Sequence, residues 1–307
     1  MGMMKPELRV KLGGLPLRNP IMTASGTFGY GAEFADFVDL DALGGIVVKG
    51  VSLHPKAGNP PPRVVETSCG MLNAIGLENG GVDSFIKEKI PFLAKLHCAV
   101  VVNILGDTIE EYCRLAEILS AEDGIDAIEV NISCPNVKHG GVAFGTDAKM
   151  VHAVTKNVCA HSTKPVFIKL SPNVTDIVSM AVAAEQGGAT AVSLINTLLG
   201  MAIDVKTRKP KLANVVGGLS GPAIKPIAVR MVWQVARQVK IPVIGIGGIA
   251  TVEDVIEFLL AGATAVQVGT ANLVTPSISG KLVAGLEKYL ADNEIPSIGR
   301  LIKGVDV

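Results

Sequence analysis

The chain has 307 residues, 49% of them hydrophobic and 4% aromatic, with 28 Lys and Arg balancing 28 Asp and Glu. That length exceeds the usual single-domain size but suits one α/β barrel, and a half-apolar, glycine-rich composition argues against a disordered or fibrous chain. Balanced charge without a basic stripe interleaved with aromatics argues against a nucleic-acid partner.

Met1 to Val10 is short and mixed in polarity, with no apolar stretch long enough for a signal peptide. No later segment reads as a membrane span uninterrupted by Gly or charge, so no membrane association and a cytoplasmic location are expected. From there on, short β-branched runs alternate with amphipathic stretches of helical length, the pattern of repeated βα units around a parallel sheet. In chain order the strands are expected to end near Ser25, Lys49, Asn103, Asn131, Lys169, Asn196, Gly245 and Gly269. Thr108 with Glu111, and Thr251 with Asp254, read as capping boxes that open helices.

Eight such runs predict a single (β/α)8 TIM barrel domain over residues 1–307. An open doubly wound sheet stays as the alternative, because periodicity does not show closure. Two stretches break the short-loop rule: Ser52 to Gly81, rich in Pro, Gly and Asn, and Leu198 to Pro222, rich in Gly and Lys. Long segments of this kind are often lids or binding loops, and since both follow barrel strands both should rise over the C-terminal face.

The strand ends carry a polar set: Ser25, Lys49, Asn103, Asn131, Lys169 and Asn196. Any one of them reads as a strand terminus meeting solvent. Together they predict a pocket, because the C-terminal ends of barrel strands share one face. Gly245, Gly247, Gly248, Gly269 and Thr270 follow the seventh and eighth strands, where barrels commonly bind a phosphate on backbone N–H groups. Gly245-x-Gly247-x-x-Ala250 also matches a dinucleotide fingerprint, but about 20 residues on that motif wants an acidic strand end. The sequence there reads Val266, Gln267, Val268.

Cys69, Cys98, Cys113, Cys134 and Cys159 are widely spaced and form no C-x-x-C pair, so free thiols and no metal are expected. Cys134 lies in Asn131-Ile-Ser-Cys134-Pro-Asn136, in a loop that ends in Gly140 and Gly141 and could hinge there. A lone Cys is usually a packing residue, while a Cys beside Pro on an exposed loop could accept a proton. His139 of the same loop reads as a solvated side chain, and His54, His97, His152 and His161 show no triad spacing. Asn131 and Asn173 match a glycosylation sequon in form, but read better as barrel-loop residues. Lys49 and Lys169 end apolar strands and would place positive charge against a flavin pyrimidine ring, a carboxylate or a phosphate. A Schiff-base lysine is the competing reading, and the asparagines beside them favour a planar ligand bearing N–H and C=O groups.

At these motifs the sequence resembles the class 1 dihydroorotate dehydrogenases over essentially its whole length, most of all the catalytic subunit of the NAD-linked class 1B group. The motifs are Ala24-Ser25-Gly26-Thr27-Phe28-Gly29, Val48-Lys49-Gly50, Asn73-Ala74-Ile75-Gly76-Leu77, Asn131 to Asn136, Ile168-Lys169-Leu170, Ile195-Asn196-Thr197, Gly218 to Gly221, Gly247-Gly248 and Gly269-Thr270. The resemblance implies one non-covalent FMN held by Ser25, Lys49, Gly50, Asn103, Asn131, Lys169, Ile195, Gly221, Gly247, Gly248, Gly269 and Thr270. It implies dihydroorotate or orotate bound by Lys49, Asn73, Ala74, Ile75, Gly76, Leu77, Asn131, Asn136, Asn196 and Thr197. Cys134 would be the catalytic base, with Lys169 stabilising charge on the reduced flavin.

The membrane-associated class 2 relatives place Ser where this chain has Cys134, and they carry an N-terminal extension. Class 1B membership further implies a homodimer within a heterotetramer, whose second subunit carries FAD and a 2Fe–2S cluster and receives NAD. A class 1A homodimer using fumarate, a flavin dehydrogenase of another dihydropyrimidine, and a flavin-free phosphate-binding barrel are the competing readings. The Asn-Ala-Ile-Gly form of the substrate loop favours class 1B over 1A.

Overall fold

A computed structural model describes residues 5–133 and 144–306. Eight strands form the central sheet: β1 (Ile21–Thr23), β2 (Gly45–Val47), β3 (Ala99–Leu105), β4 (Ala127–Asn131), β5 (Val166–Lys169), β6 (Ala191–Leu194), β7 (Val243–Ile246) and β8 (Ala265–Val268). Each pairs in parallel with the next, and β8 returns to β1, so the sheet closes into the (β/α)8 barrel expected. Every residue of these strands is buried. A parallel sheet covered by helices outside and filled by its own side chains inside leaves no wet face, which is why the strands read as unbroken apolar runs.

Helices Ile109–Ser120, Ala148–His161, Ile177–Gln186, Lys225–Ala236, Val252–Ala261 and Ile278–Asp292 follow β3 to β8. The β1–β2 connection has only the 3₁₀ turns Ala32–Phe34 and Leu40–Ala42. At the other end of the barrel, the hairpin of Val10–Leu12 and Leu15–Leu17 turns at Gly13 (φ 61°) against Thr190, just before β6, where a Cβ would collide. No helix among the described residues is long and apolar enough to cross a membrane.

The strand ends fall within two residues of those expected: β3 runs two residues past Asn103, while β1, β2 and β6 stop two short of Ser25, Lys49 and Asn196. The two long segments differ more. They are not irregular loops but join in one antiparallel sheet, Leu198–Met201, Val216–Ser220, Gly70–Asn73 and Val64–Thr67, in that spatial order. Leu72, Ala74 and Leu212 give this sheet a small core of its own over the C-terminal face.

One capping box forms and the other does not. Thr108 Oγ1 accepts from the Glu111 N–H, but the Glu111 carboxylate takes the N–H of Asp107 rather than that of Thr108. At Val252–Ala261 both halves are present, and Asp254 also accepts from Lys225 Nζ at 2.7 Å and from the Ala250 N–H at 2.9 Å. Burial would raise the Asp254 carboxyl, but the Lys225 ammonium and the two backbone N–H groups outweigh it and hold it below its ordinary value.

Asp254→Ala is therefore expected to destabilise the fold by about 1–2 kcal/mol, read from urea denaturation. A carboxyl held low stabilises the fold above its unfolded value and loses that contribution as pH falls through its native value. The gap between native and variant chains should thus narrow below about pH 4. An equal gap at every pH would show that Asp254 acts through packing alone.

Candidate active site

A cavity of about 1330 Å³ opens at the C-terminal end of the barrel, beneath the antiparallel sheet. The β1 chain turns at Gly26 (φ 82°), with Thr27 Oγ1 donating to the Ala24 carbonyl at 3.1 Å, and this turn presents Ser25. Lys169, at the tip of β5, reaches across the barrel to donate to Ser25 Oγ at 3.1 Å. Lys49 follows β2 with its backbone N–H on the Gly29 carbonyl at 2.8 Å. Its ammonium has no hydrogen bond or ion pair among the described residues, so the charge is free for a ligand. Beside it Gly50 leaves no room for a side chain, because a Cβ would come within 2.7 Å of Leu105.

The asparagines form the cavity's amide lining. Asn131 Oδ1 accepts from Asn196 Nδ2 at 3.3 Å and from the Ser133 N–H at 3.2 Å. Ser133 Oγ in turn donates to the Lys169 carbonyl at 2.8 Å, and Tyr112 Oη to the Asn131 carbonyl at 2.8 Å. These bonds tie the ends of β4, β5 and β6 together. Asn73 ends a strand of the covering sheet and donates to Gly218 at 3.4 Å. The following turn, with Gly76 and Leu77 at positive φ, is pinned by Asn59 Nδ2 on the Ala74 carbonyl and Asn79 Nδ2 on the Leu77 carbonyl.

A glycine cradle lies past the ends of β7 and β8. Gly247 (φ 129°) and Gly248 (φ 76°) follow β7, Gly269 and Thr270 follow β8, and Gly221 (φ 93°) comes from the covering sheet. The N–H groups of Gly247, Gly248, Gly269 and Thr270 have no acceptor among the described residues. A Cβ at Gly248 would sit 2.9 Å from the Gly221 carbonyl oxygen, whereas one at Gly269 would make only ordinary contact, with Ala24 at 3.6 Å. Unpaired N–H donors in a close-approach backbone suit a phosphate, and an amide-lined slot with two lysines suits the N–H and C=O groups of a flavin ring. The residues present fit FMN.

Every residue expected to hold cofactor or substrate lines this cavity, except Cys134 and Asn136, which with His139, Gly140 and Gly141 lie outside the described residues. Asn173 also lines it, bridging the Thr197 carbonyl and the Leu199 N–H at 3.0 Å each. Sequence reasoning missed Asn59, Asn79 and, beneath the floor, Glu129. That carboxyl is fully buried and accepts from Asn103, Ser193 and Gln267, each at 2.8 Å, with Lys169 Nζ at 3.4 Å. Its signal was a lone acid within the apolar run of β4. Of the described cysteines, Cys98 and Cys113 are buried, Cys159 is half-buried, and Cys69 is exposed on the cavity rim.

A sequence profile described as dihydroorotate dehydrogenase matches residues 7–290. A protein of Geobacter sulfurreducens named "Dihydroorotate dehydrogenase B (NAD(+)), catalytic subunit" is 61% identical over 305 residues, 99% of this chain and 100% of its own. One of the same name from Geotalea uraniireducens is 59% identical over 298 residues, 97% of this chain and 98% of its own. Among solved structures, the DHODH of Eimeria tenella in complex with ferulenol superposes with a TM-score of 0.80 over 96% of this chain and 88% of that one; at 20% identity it speaks for the fold. With identity this high from end to end, and a cavity assembled from the motifs themselves, the chain belongs to the dihydroorotate dehydrogenase family.

Proposed function

We propose that this chain oxidises dihydroorotate to orotate in the de novo synthesis of pyrimidine nucleotides (UMP), working in the cytoplasm as one FMN-binding barrel domain over residues 1–307. The observation that carries the reading is the convergence of Lys49, Lys169 and the asparagines on one cavity of a chain from this family. Gly221, Gly247, Gly248, Gly269 and Thr270 would hold the FMN phosphate on their N–H groups. Ser25, Lys49, Gly50, Asn103, Asn131, Lys169 and Ile195 would hold the rest of the cofactor.

When bound, FMN supplies the acceptor for the hydride that leaves C6 of dihydroorotate. Cys134 takes the proton from C5, so that the C5–C6 bond becomes the double bond of orotate. Lys49, with Asn136 and the turn of Asn73, Ala74, Ile75, Gly76 and Leu77, binds the carboxylated ring. Asn131, Asn196 and Thr197 fix its orientation, which is the geometry that the hydride step needs. Lys169 holds positive charge where negative charge develops. A partner subunit carrying FAD and a 2Fe–2S cluster would supply the route to NAD, in a heterotetramer built on a dimer of this chain.

Purified full-length chain should be yellow, release FMN on heating or acidification, and lose its visible flavin absorption when dihydroorotate is added without oxygen. Release of FAD, absence of flavin, or absorption unchanged by dihydroorotate would each overturn the reading.

A further inference from the structure

We propose that Glu129 is a positioning residue, whose carboxylate inside the barrel holds the Lys169 ammonium and the Asn103 amide at the floor of the cavity. The proposal rests on reading that cavity as an FMN site. The interior of a (β/α)8 barrel is ordinarily filled by bulky branched side chains. Here β4, β6 and β8 instead contribute Glu129, Ser193 and Gln267, all fully buried. Glu129 does not line the cavity, yet two of its four donors, Asn103 and Lys169, do. The other two, Ser193 and Gln267, lie behind it.

A polar layer of this kind is costly to bury unless each group is satisfied, and the carboxylate is satisfied at both oxygens. The Gln267 amide is turned so that Nε2 serves Glu129, although Oε1 is then left without a partner among the described residues. Burial would push the Glu129 carboxyl up, but the Lys169 charge and the three neutral donors outweigh it and hold it below its ordinary value. An ionised Glu129 thus sets a negative charge beside Lys169, which is 4% exposed and donates to Ser25 Oγ at 3.1 Å.

Among the described residues, other titratable groups near Lys169 are few. Within the eight strands the only ones are Glu129 and Lys169 themselves; Lys49 follows β2, and Glu66, Glu78 and Cys69 lie at the cavity's mouth. These four are unchanged in every variant below, so their titration cancels in the comparison.

A buried ammonium stripped of its counter-charge sheds its proton more readily. The experiment is a fluorescence titration of flavin-stripped full chain with FMN across about pH 6 to about pH 9, for the native chain, Glu129→Gln, and Glu129→Gln combined with Lys169→Met. The native affinity should change little. In E129Q it should weaken by about tenfold at the alkaline end as Lys169 becomes neutral, and the double variant should lose this pH dependence. An E129Q series parallel to the native one, or a decline that persists in the double variant, overturns the proposal. Should E129Q not fold, Glu129→Asp keeps the charge but draws it back from Lys169, and a decline of about threefold is expected; a native-like series there also overturns the proposal. Native chain that binds no FMN would instead overturn the cofactor reading on which the proposal stands.

Discussion

Cys134→Ala should lose turnover by about 10²-fold or more, the loss typical of a removed general base, while FMN and orotate still bind. Cys134→Ser should be slow near neutrality and recover in part at high pH, because a hydroxyl gives up its proton less readily than a thiol. The described thiols make poor rivals for the role. Burial pushes Cys98 up to about 12 and Cys159 up to about 11, and raises Cys113 as well, so all three stay neutral. None of the three lines the cavity, whereas Cys69 does, at its exposed rim. Cys69→Ala is therefore the control and should keep near-native turnover. Near-native turnover in Cys134→Ala, or a comparable loss in Cys69→Ala, would take the proton transfer away from Cys134.

The barrel was legible because each of its strands is a buried run, with a polar residue near its end in the first six and glycines following it in the last two. Val166–Lys169 and Ala127–Asn131 close on Lys169 and Asn131 as read. The covering sheet was not legible. Asn73 pairs with Gly218 across 145 positions of chain, and glycine-rich runs such as Val-Gly-Gly-Leu-Ser have no alternation to mark a strand. Their pairing is decided by tertiary context, where sequence periodicity carries little information. Glu129 was illegible for another reason. One acid in a five-residue strand reads as a solvent-facing position, and only the closed barrel shows that both faces of β4 are buried. The same closure turns Gln267, first noticed as a missing acid in a dinucleotide motif, into a ligand of Glu129.

The isolated chain should oxidise dihydroorotate with artificial acceptors but not with NAD. The Gly245-x-Gly247-x-x-Ala250 stretch does not serve a dinucleotide here. Its Gly247 and Gly248 face the barrel cavity, and the helix that follows, Val252–Ala261, already has the Asp254 carboxylate on the N–H groups of Ala250 and Thr251. With those two N–H groups already taken, the start of this helix does not offer them to a pyrophosphate. The position where an acid should grip the ribose is Gln267, sealed inside the barrel. Nor do the described cysteines gather to ligate a cluster: Cys69, Cys98, Cys113 and Cys159 are free, and among the described residues no group of His, Cys, Asp or Glu is arranged to hold a metal ion. On the proposed reading, a chain that takes a hydride equivalent, with no dinucleotide site among its described residues, hands its electrons to the FAD and iron–sulfur subunit. The measurement is a steady-state assay of the separated chain with NAD, with fumarate, and with a dye acceptor. Efficient NAD reduction would remove the need for a partner, and efficient fumarate reduction would assign the chain to the class 1A homodimers. Dye reduction alone, restored to NAD reduction when the second subunit is added, is the expected result.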